Sequence, residues 1–182
     1  MKVLQRHETG TTTTQTNIYK TPLCQVVHSN APLIKIKQLI ESGDHSINGR
    51  DGLSRWTPLL VAAVNGQRDI TEYLLLHGAD TTMRTSRRRN AVMLAALHGH
   101  HNLVVDLLAQ GAVLNSTDFE GLTALMLAVI GNHYKCVVIL LAHGAELEKK
   151  ERNGKTAKQI ALDKGYWNIA TLIEDEEKNR GQ

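Results

Sequence analysis

The sequence predicts an all-α solenoid of five helix-turn-helix units, and three observations carry that reading. A phrase returns as TPLLVAAVNG, NAVMLAALHG, TALMLAVIGN and TAKQIALDKG, and its starts at Thr57, Asn90, Thr123 and Thr156 stand 33 residues apart. In three of these units a Gly-Ala pair follows 21 residues after the start (Gly78-Ala79, Gly111-Ala112, Gly144-Ala145), closing runs such as ITEYLLLHGAD and LVVDLLAQGAV. Within such runs apolar residues recur at helical spacing. A fixed period of this length marks stacked units, each too small to bury its apolar face alone.

The first unit is the least regular. TPLCQVVHSN starts at Thr21 and LIKIKQLIESGD follows, but Thr21 precedes Thr57 by 36 residues. Thr21 to Gly43 is 22 residues rather than 21, which places one extra residue in the helix-helix turn around Asn30-Ala31-Pro32 and the other two in the loop GDHSINGRDGLSRW. Each unit then opens on a Thr or Asn, whose side-chain oxygen accepts from an amide that the first helical turn leaves unpaired. Pro22 and Pro58 follow at the first helical position, where no amide is lost. At the far end, Gly43, Gly78, Gly111 and Gly144 supply a left-handed residue that stops the second helix. Ile70, Leu74 and Leu75 in one unit, and Leu103, Val104, Leu107 and Leu108 in the next, form the expected core faces. The last unit puts Lys158, Gln159 and Lys164 at positions that are apolar elsewhere, as an end unit with one neighbour requires; Lys35 and Lys37 do the same in the first. The acidic run 174–177 reads as a solvated helix end. The expected division is a polar, Thr-rich, disordered segment over 1–16, a repeat domain over 17–174 and a polar tail over 175–182.

The pattern resembles the ankyrin repeat family. Thr57-Pro58-Leu59, Ala62-Ala63, Gly66, Leu74-Leu75 and Gly78-Ala79-Asp80 stand where that family has its defining residues, and Gly99-His100, Val104 and Leu107-Leu108 repeat the match. The resemblance covers roughly residues 17 to 174 and implies β-hairpin-like loops between the helix pairs.

Composition agrees with one compact domain. The chain has 182 residues, 42% of them hydrophobic, a net charge of +3 and no apolar run long enough to span a membrane. No signal segment is apparent, and Cys24 and Cys136 lie in different units within helical phrases, so they read as reduced, buried packing residues of a cytoplasmic protein.

No catalytic constellation is apparent: there is no phosphate-binding glycine loop, nucleophile-base pair or paired carboxylates in an apolar setting. The nine histidines include His98, His100 and His101 in LHGHHN, but no cysteine or carboxylate completes a zinc set there. His100 falls where the resemblance implies hydrogen bonding to a neighbouring unit. Neither a cofactor nor a metal is expected.

Function is therefore expected on the surface. The resemblance implies a non-enzymatic protein-binding module, acting as a monomer, whose loop tips and exposed first-helix faces line a concave groove. The alternative is a regulatory subunit that covers a partner enzyme. By position, the partner-binding residues are Trp56 and Asn65 in the second unit, Arg87, Arg89 and His98 in the third, Phe119, Glu120 and Leu122 in the fourth, and Arg152 and Lys155 in the fifth. Trp56 and Phe119 are the expected aromatic anchors, aligned with Arg87 and Arg89 along one edge. The loop RTSRRRN has Thr85 at the family's usual Asp position and Arg88 at its usual Gly position, and concentrates four arginines. An acidic or phosphorylated segment suits that loop. Nucleic acid does not suit the rest of the groove, which is mixed in sign and lacks a basic stripe with stacking aromatics. The resemblance also singles out Asn115, and secondarily Asn48, at the loop position hydroxylated in some animal relatives; hydrogen bonding between successive loops is the simpler role.

Overall fold

A computed structural model describes residues 21–43 and 45–181. The segment 1–16 and the expected start of the repeats at 17 lie outside the described residues. Among the described residues ten helices pair off in chain order: α1 (Pro22–His28) with α2 (Leu33–Glu41), α3 (Pro58–Asn65) with α4 (Arg68–Leu76), α5 (Ala91–Leu97) with α6 (His101–Ala109), α7 (Ala124–Ile130) with α8 (Tyr134–Ala142), and α9 (Ala157–Asp163) with α10 (Trp167–Arg180). The first helices pack in one row, α1 to α9, and the second helices in another, α2 to α10.

The local chemistry explains the helix starts. Thr57, Asn90, Thr123 and Thr156 are extended and accept from the amide three residues on, at 3.4, 2.9, 3.2 and 3.4 Å. Gln159 returns the favour by accepting from the Thr156 amide at 2.9 Å, which completes a capping box. Thr21 departs from this pattern, since its side chain makes no cap and its amide donates to Asp51 Oδ1 at 3.0 Å. At the other ends, Gly43, Gly78, Gly111 and Gly144 have φ of +73°, +87°, +76° and +82°, the left-handed stop that their spacing predicts.

The two rows bury their side chains differently. In α5 every residue from Ala91 to Ala96 is buried, and α7 is buried from Ala124 to Val129. A helix that is apolar all round must be covered all round. The alanines Ala62, Ala63, Ala95, Ala96 and Ala128 let neighbouring first helices approach closely. The second helices are one-sided: α4 buries Ile70, Thr71 and Leu74, and α6 buries Leu103, Val104 and Leu107. The buried side chains of all ten helices join into one core. Cys24 and Cys136 are free and fully buried within it, and burial pushes both thiols up to about 11.

Adjacent units are also stapled by side chains at the second-helix start. His100 Nε2 lies 2.8 Å from the Val64 carbonyl and His133 Nε2 lies 3.0 Å from that of Leu97. Gln67 has the same role in the second unit, donating from Nε2 to the Val27 carbonyl and to Asn30 Oδ1, each at 2.8 Å. The carbonyls that end one first helix, left without helical donors, are thereby satisfied by the next unit.

The end unit is longer than its sequence boundary implied. α10 runs on through the segment expected to be a polar tail, and Arg180 donates to the Ala145 and Leu141 carbonyls at 2.7 and 2.8 Å. Arg180 also pairs with Glu176, and Lys158 reaches Glu177 at 2.5 Å. Glu176 and Glu177 are thus held by cations, while Glu174 and Asp175 stay exposed beside Lys178, the solvated helix end that the sequence suggested.

Candidate functional site

The loops repeat one hydrogen-bonding scheme. Thr85 N donates to Arg89 O, Asp118 N to Leu122 O and Glu151 N to Lys155 O, at 2.9, 3.0 and 3.0 Å, closing each loop over four residues. In the first such loop Asp51 N donates to Trp56 O at 2.7 Å, which spans five residues. One of the extra residues before Thr57 therefore sits inside that loop. A single backbone bond then joins each loop to the next: Ser86 N to Ser54 O, Phe119 N to Arg87 O and Arg152 N to Glu120 O, at 3.0, 3.2 and 2.8 Å. Asn48 and Asn115 add side-chain bridges. Asn48 accepts from Asp80 N and donates to Gly78 O, while Asn115 accepts from Glu146 N and donates to Gly144 O.

The position normally filled by an acidic residue shows why the third loop survives its substitutions. Asp118 Oδ1 accepts from the amides of Glu120 and Leu122, and Glu151 accepts from those of Asn153 and Lys155. The Thr85 hydroxyl, with one oxygen in place of two, accepts from Arg89 N at 3.3 Å. Gly121 and Gly154 are left-handed in the fourth and fifth loops, with φ of +78° and +81°, and Arg88 takes φ +65° in the third. The loop keeps its shape, so the arginine carries the conformational strain.

A groove of about 570 Å³ opens along the loops of the fourth and fifth units. Phe119, Leu122, Ile130 and Ile160 give it apolar walls, with Leu122 buried as part of the floor and Phe119 63% exposed. Its rim is mixed in sign: Arg87, Lys155 and Lys164 alternate with Glu120, Glu151 and Asp163. Lys155 is paired with Asp163 across the rim, and that hydrogen bond holds its ammonium above the ordinary lysine value. Such a site can clasp an apolar side chain and orient it by polar contacts at the edge.

The structure divides the expected site residues. Arg87, Phe119, Glu120, Leu122 and Lys155 line this groove together. Arg152 is exposed beside it and pairs with Glu120 at 3.6 Å. Asn65 is exposed and His98 half-buried, with the His98 ring stacked 6.3 Å from that of His100, and neither lines the groove. Two expectations need correction. Arg89 is no surface cation: it donates to Asp118 Oδ2 at 3.0 Å, with only 4% of the arginine side chain and 2% of the aspartate exposed. Trp56 is no free anchor either, being half-buried against the core, so the expected row of Trp56, Arg87, Arg89 and Phe119 reduces to Arg87 and Phe119 on the groove. The groove residues Ile160 and Asp163 on α9, and Lys164 at its C-cap, were not among the expected binding residues. Asp163 holds the position of Ile130 one period on, so the repeat register alone would have found it.

The histidines near Gly99 are already committed, His100 to the Val64 carbonyl and His133 to that of Leu97. Among the described residues no group of three His, Cys, Asp or Glu side chains is placed to hold a metal ion, and no helix is long and apolar enough to cross a membrane.

A family model described as ankyrin repeats (3 copies) matches residues 1–85 and 87–181. No curated protein matches the chain.

Proposed function

The chain belongs to the ankyrin repeat family, whose members are generally protein-protein interaction modules and typically not enzymes, and from that premise we propose that it is a monomeric, non-enzymatic cytoplasmic scaffold. It binds a partner protein through the loop tips and first-helix ends of its third to fifth units. The observation that carries this reading is Phe119, exposed beside the apolar walls formed by Leu122, Ile130 and Ile160. An exposed aromatic at the mouth of an apolar groove supplies the desolvated anchor on which interface energy concentrates. The backbone bonds between successive loops keep the groove preformed, so docking costs little ordering entropy. The arginines of the third loop suit a partner segment that is acidic or phosphorylated. Selection of binders from a displayed library of unmodified random peptides tests the proposal. Selected peptides should share an apolar residue, perturb the amide signals of Phe119 and Leu122 and lose affinity for Phe119→Ala. Binding that maps to the second-helix faces instead would refute it.

A further inference from the structure

A second pocket, of about 390 Å³, lies between the second and third loops and shares Phe119 with the groove. Arg50 and Arg55 from one loop and Arg84 and Arg88 from the next line it, together with Ser86, and no Asp or Glu does. The four arginines form a register pair repeated once. Arg50 stands just before Asp51 as Arg84 stands just before Thr85, and Arg55 holds the left-handed position of its loop as Arg88 does in the next. Both therefore adopt positive φ, +57° and +65°, where the fourth and fifth loops have glycine. Accepting that strain twice in succession brings the two long cations to one opening.

We infer that this pocket binds the phosphate group of a phosphorylated serine or threonine in the partner protein. Four guanidiniums, planar and permanently charged, match the oxygens of a phosphomonoester, which presents a compact double charge and several acceptors. The ion pairs among the described residues use other cations, so none of the four arginines has to surrender a carboxylate first. Arg84 donates to Ser116 Oγ at 2.9 Å, and the Arg88 guanidinium lies 5.7 Å from the Phe119 ring centroid, which steadies both at the pocket wall. The adjoining surface favours a peptide over other phosphate carriers. Beyond Phe119 the groove is mixed in sign, with Glu120, Glu151 and Asp163 set among Arg87, Lys155 and Lys164, so it offers no continuous basic track to a nucleic-acid backbone or an anionic membrane. A peptide needs charge only at one residue and can lay its next apolar side chain past Phe119. This inference rests on the proposed protein-binding groove and adds to it the chemistry of the partner.

Two degenerate peptide libraries on the full chain test it, one with phosphoserine or phosphothreonine fixed at the centre and one with the unmodified residue, read by fluorescence anisotropy. The phosphorylated library should bind roughly tenfold tighter or better, the scale of one added charge-assisted hydrogen bond. That preference should shrink as salt rises and vanish in the double variant Arg55→Gln/Arg84→Gln, whose melting temperature should match the parent. Equal binding of both libraries at the groove overturns the phosphate site and leaves the groove standing. A phosphate preference that resists the double substitution overturns the assignment to these arginines, whereas affinity for both libraries that ignores Phe119→Ala, with the preference kept, leaves the pocket and refutes the groove. No binding of either library refutes both. Tighter, arginine-dependent binding of single-stranded RNA or phosphatidylserine vesicles overturns the peptide assignment.

Discussion

Arg89 Nε donates to Asp118 Oδ2 at 3.0 Å, so a charged pair excluded from water joins the third loop to the fourth. Asp118 is doubly employed, because its other oxygen accepts from the Glu120 and Leu122 amides that shape its own loop. Removing the guanidinium leaves a buried carboxylate without its counter-charge, which typically costs about 3–5 kcal/mol. Arg89→Ala should therefore lower the denaturation midpoint sharply. In a double-mutant cycle with Asp118→Asn, the two losses should fall well short of adding. Additive losses would mean that the pair has no coupling of its own.

Leu107 tests the stack itself. It is fully buried on α6 and packs in the continuous core. Leu107→Ala should cost about 2–5 kcal/mol, depending on how far the neighbours relax into the space. An unchanged melting midpoint would contradict the assignment of the second-helix face as core.

Two glycines with the same backbone make opposite demands on space. Gly66 and Gly78 have φ of +68° and +87°, but a Cβ on Gly66 would lie 2.4 Å from His100 Nδ1, while one on Gly78 would meet nothing within 4 Å. Gly78→Ala should cost only the left-handed penalty, about 1–2 kcal/mol. Gly66→Ala should cost about 1–3 kcal/mol more, because it displaces the ring that staples two units. Comparable losses at both sites in urea denaturation would show that the His100 contact contributes little.

How much of this was readable in the sequence follows from what each signal depends on. Caps, glycine stops and apolar period are local, so the helix pairs and the resemblance followed directly from residues such as Thr57, Gly78 and Leu107. Exposure of a loop side chain depends on the next unit, which is a longer-range matter. Trp56, Arg89, Leu122 and Lys155 share one position before the helix cap, yet they are half-buried, buried, buried and exposed. Arg89 and Leu122 are each followed by another loop, whereas Lys155 belongs to the end unit. The arginine pocket was hidden for a related reason: the extra residue inside the second loop shifts Arg50 out of simple register with Arg84, and only the bond from Asp51 to Trp56 realigns them.

Both thiols should be silent in the native state. Burial raises Cys24 and Cys136 from 9.0 to about 11, so at pH 8 almost no thiolate forms and access is closed as well. A disulfide reagent should react slowly with the folded chain and rapidly, at both residues, once urea unfolds it. Since the folded values lie above the unfolded ones, the thiols' contribution to stability is complete below about pH 9 and is lost as pH rises towards 11, where the unfolded chain gives up its protons first. Fast native labelling of either cysteine at pH 8 would mean that its helix pair opens readily.

The two aromatic residues expected to act alike should instead separate into a structural and a binding role. Trp56 is half-buried against the core and ends the bridge from Asp51, so Trp56→Ala should destabilise the fold by about 2–3 kcal/mol through lost apolar burial. Phe119 is largely exposed, and Phe119→Ala should leave the melting temperature nearly unchanged. Its effect should appear in binding, as a loss of about 2 kcal/mol or more against a groove-selected peptide, expressed mainly as faster dissociation. Arg87, on the groove rim, should behave differently again: Arg87→Ala should slow association, most clearly at low salt, with little change in dissociation. Calorimetric melting and stopped-flow binding on the three variants separate these outcomes. A Phe119→Ala protein that melts early but binds normally would reverse the assignment and make the ring a cover for the fourth loop.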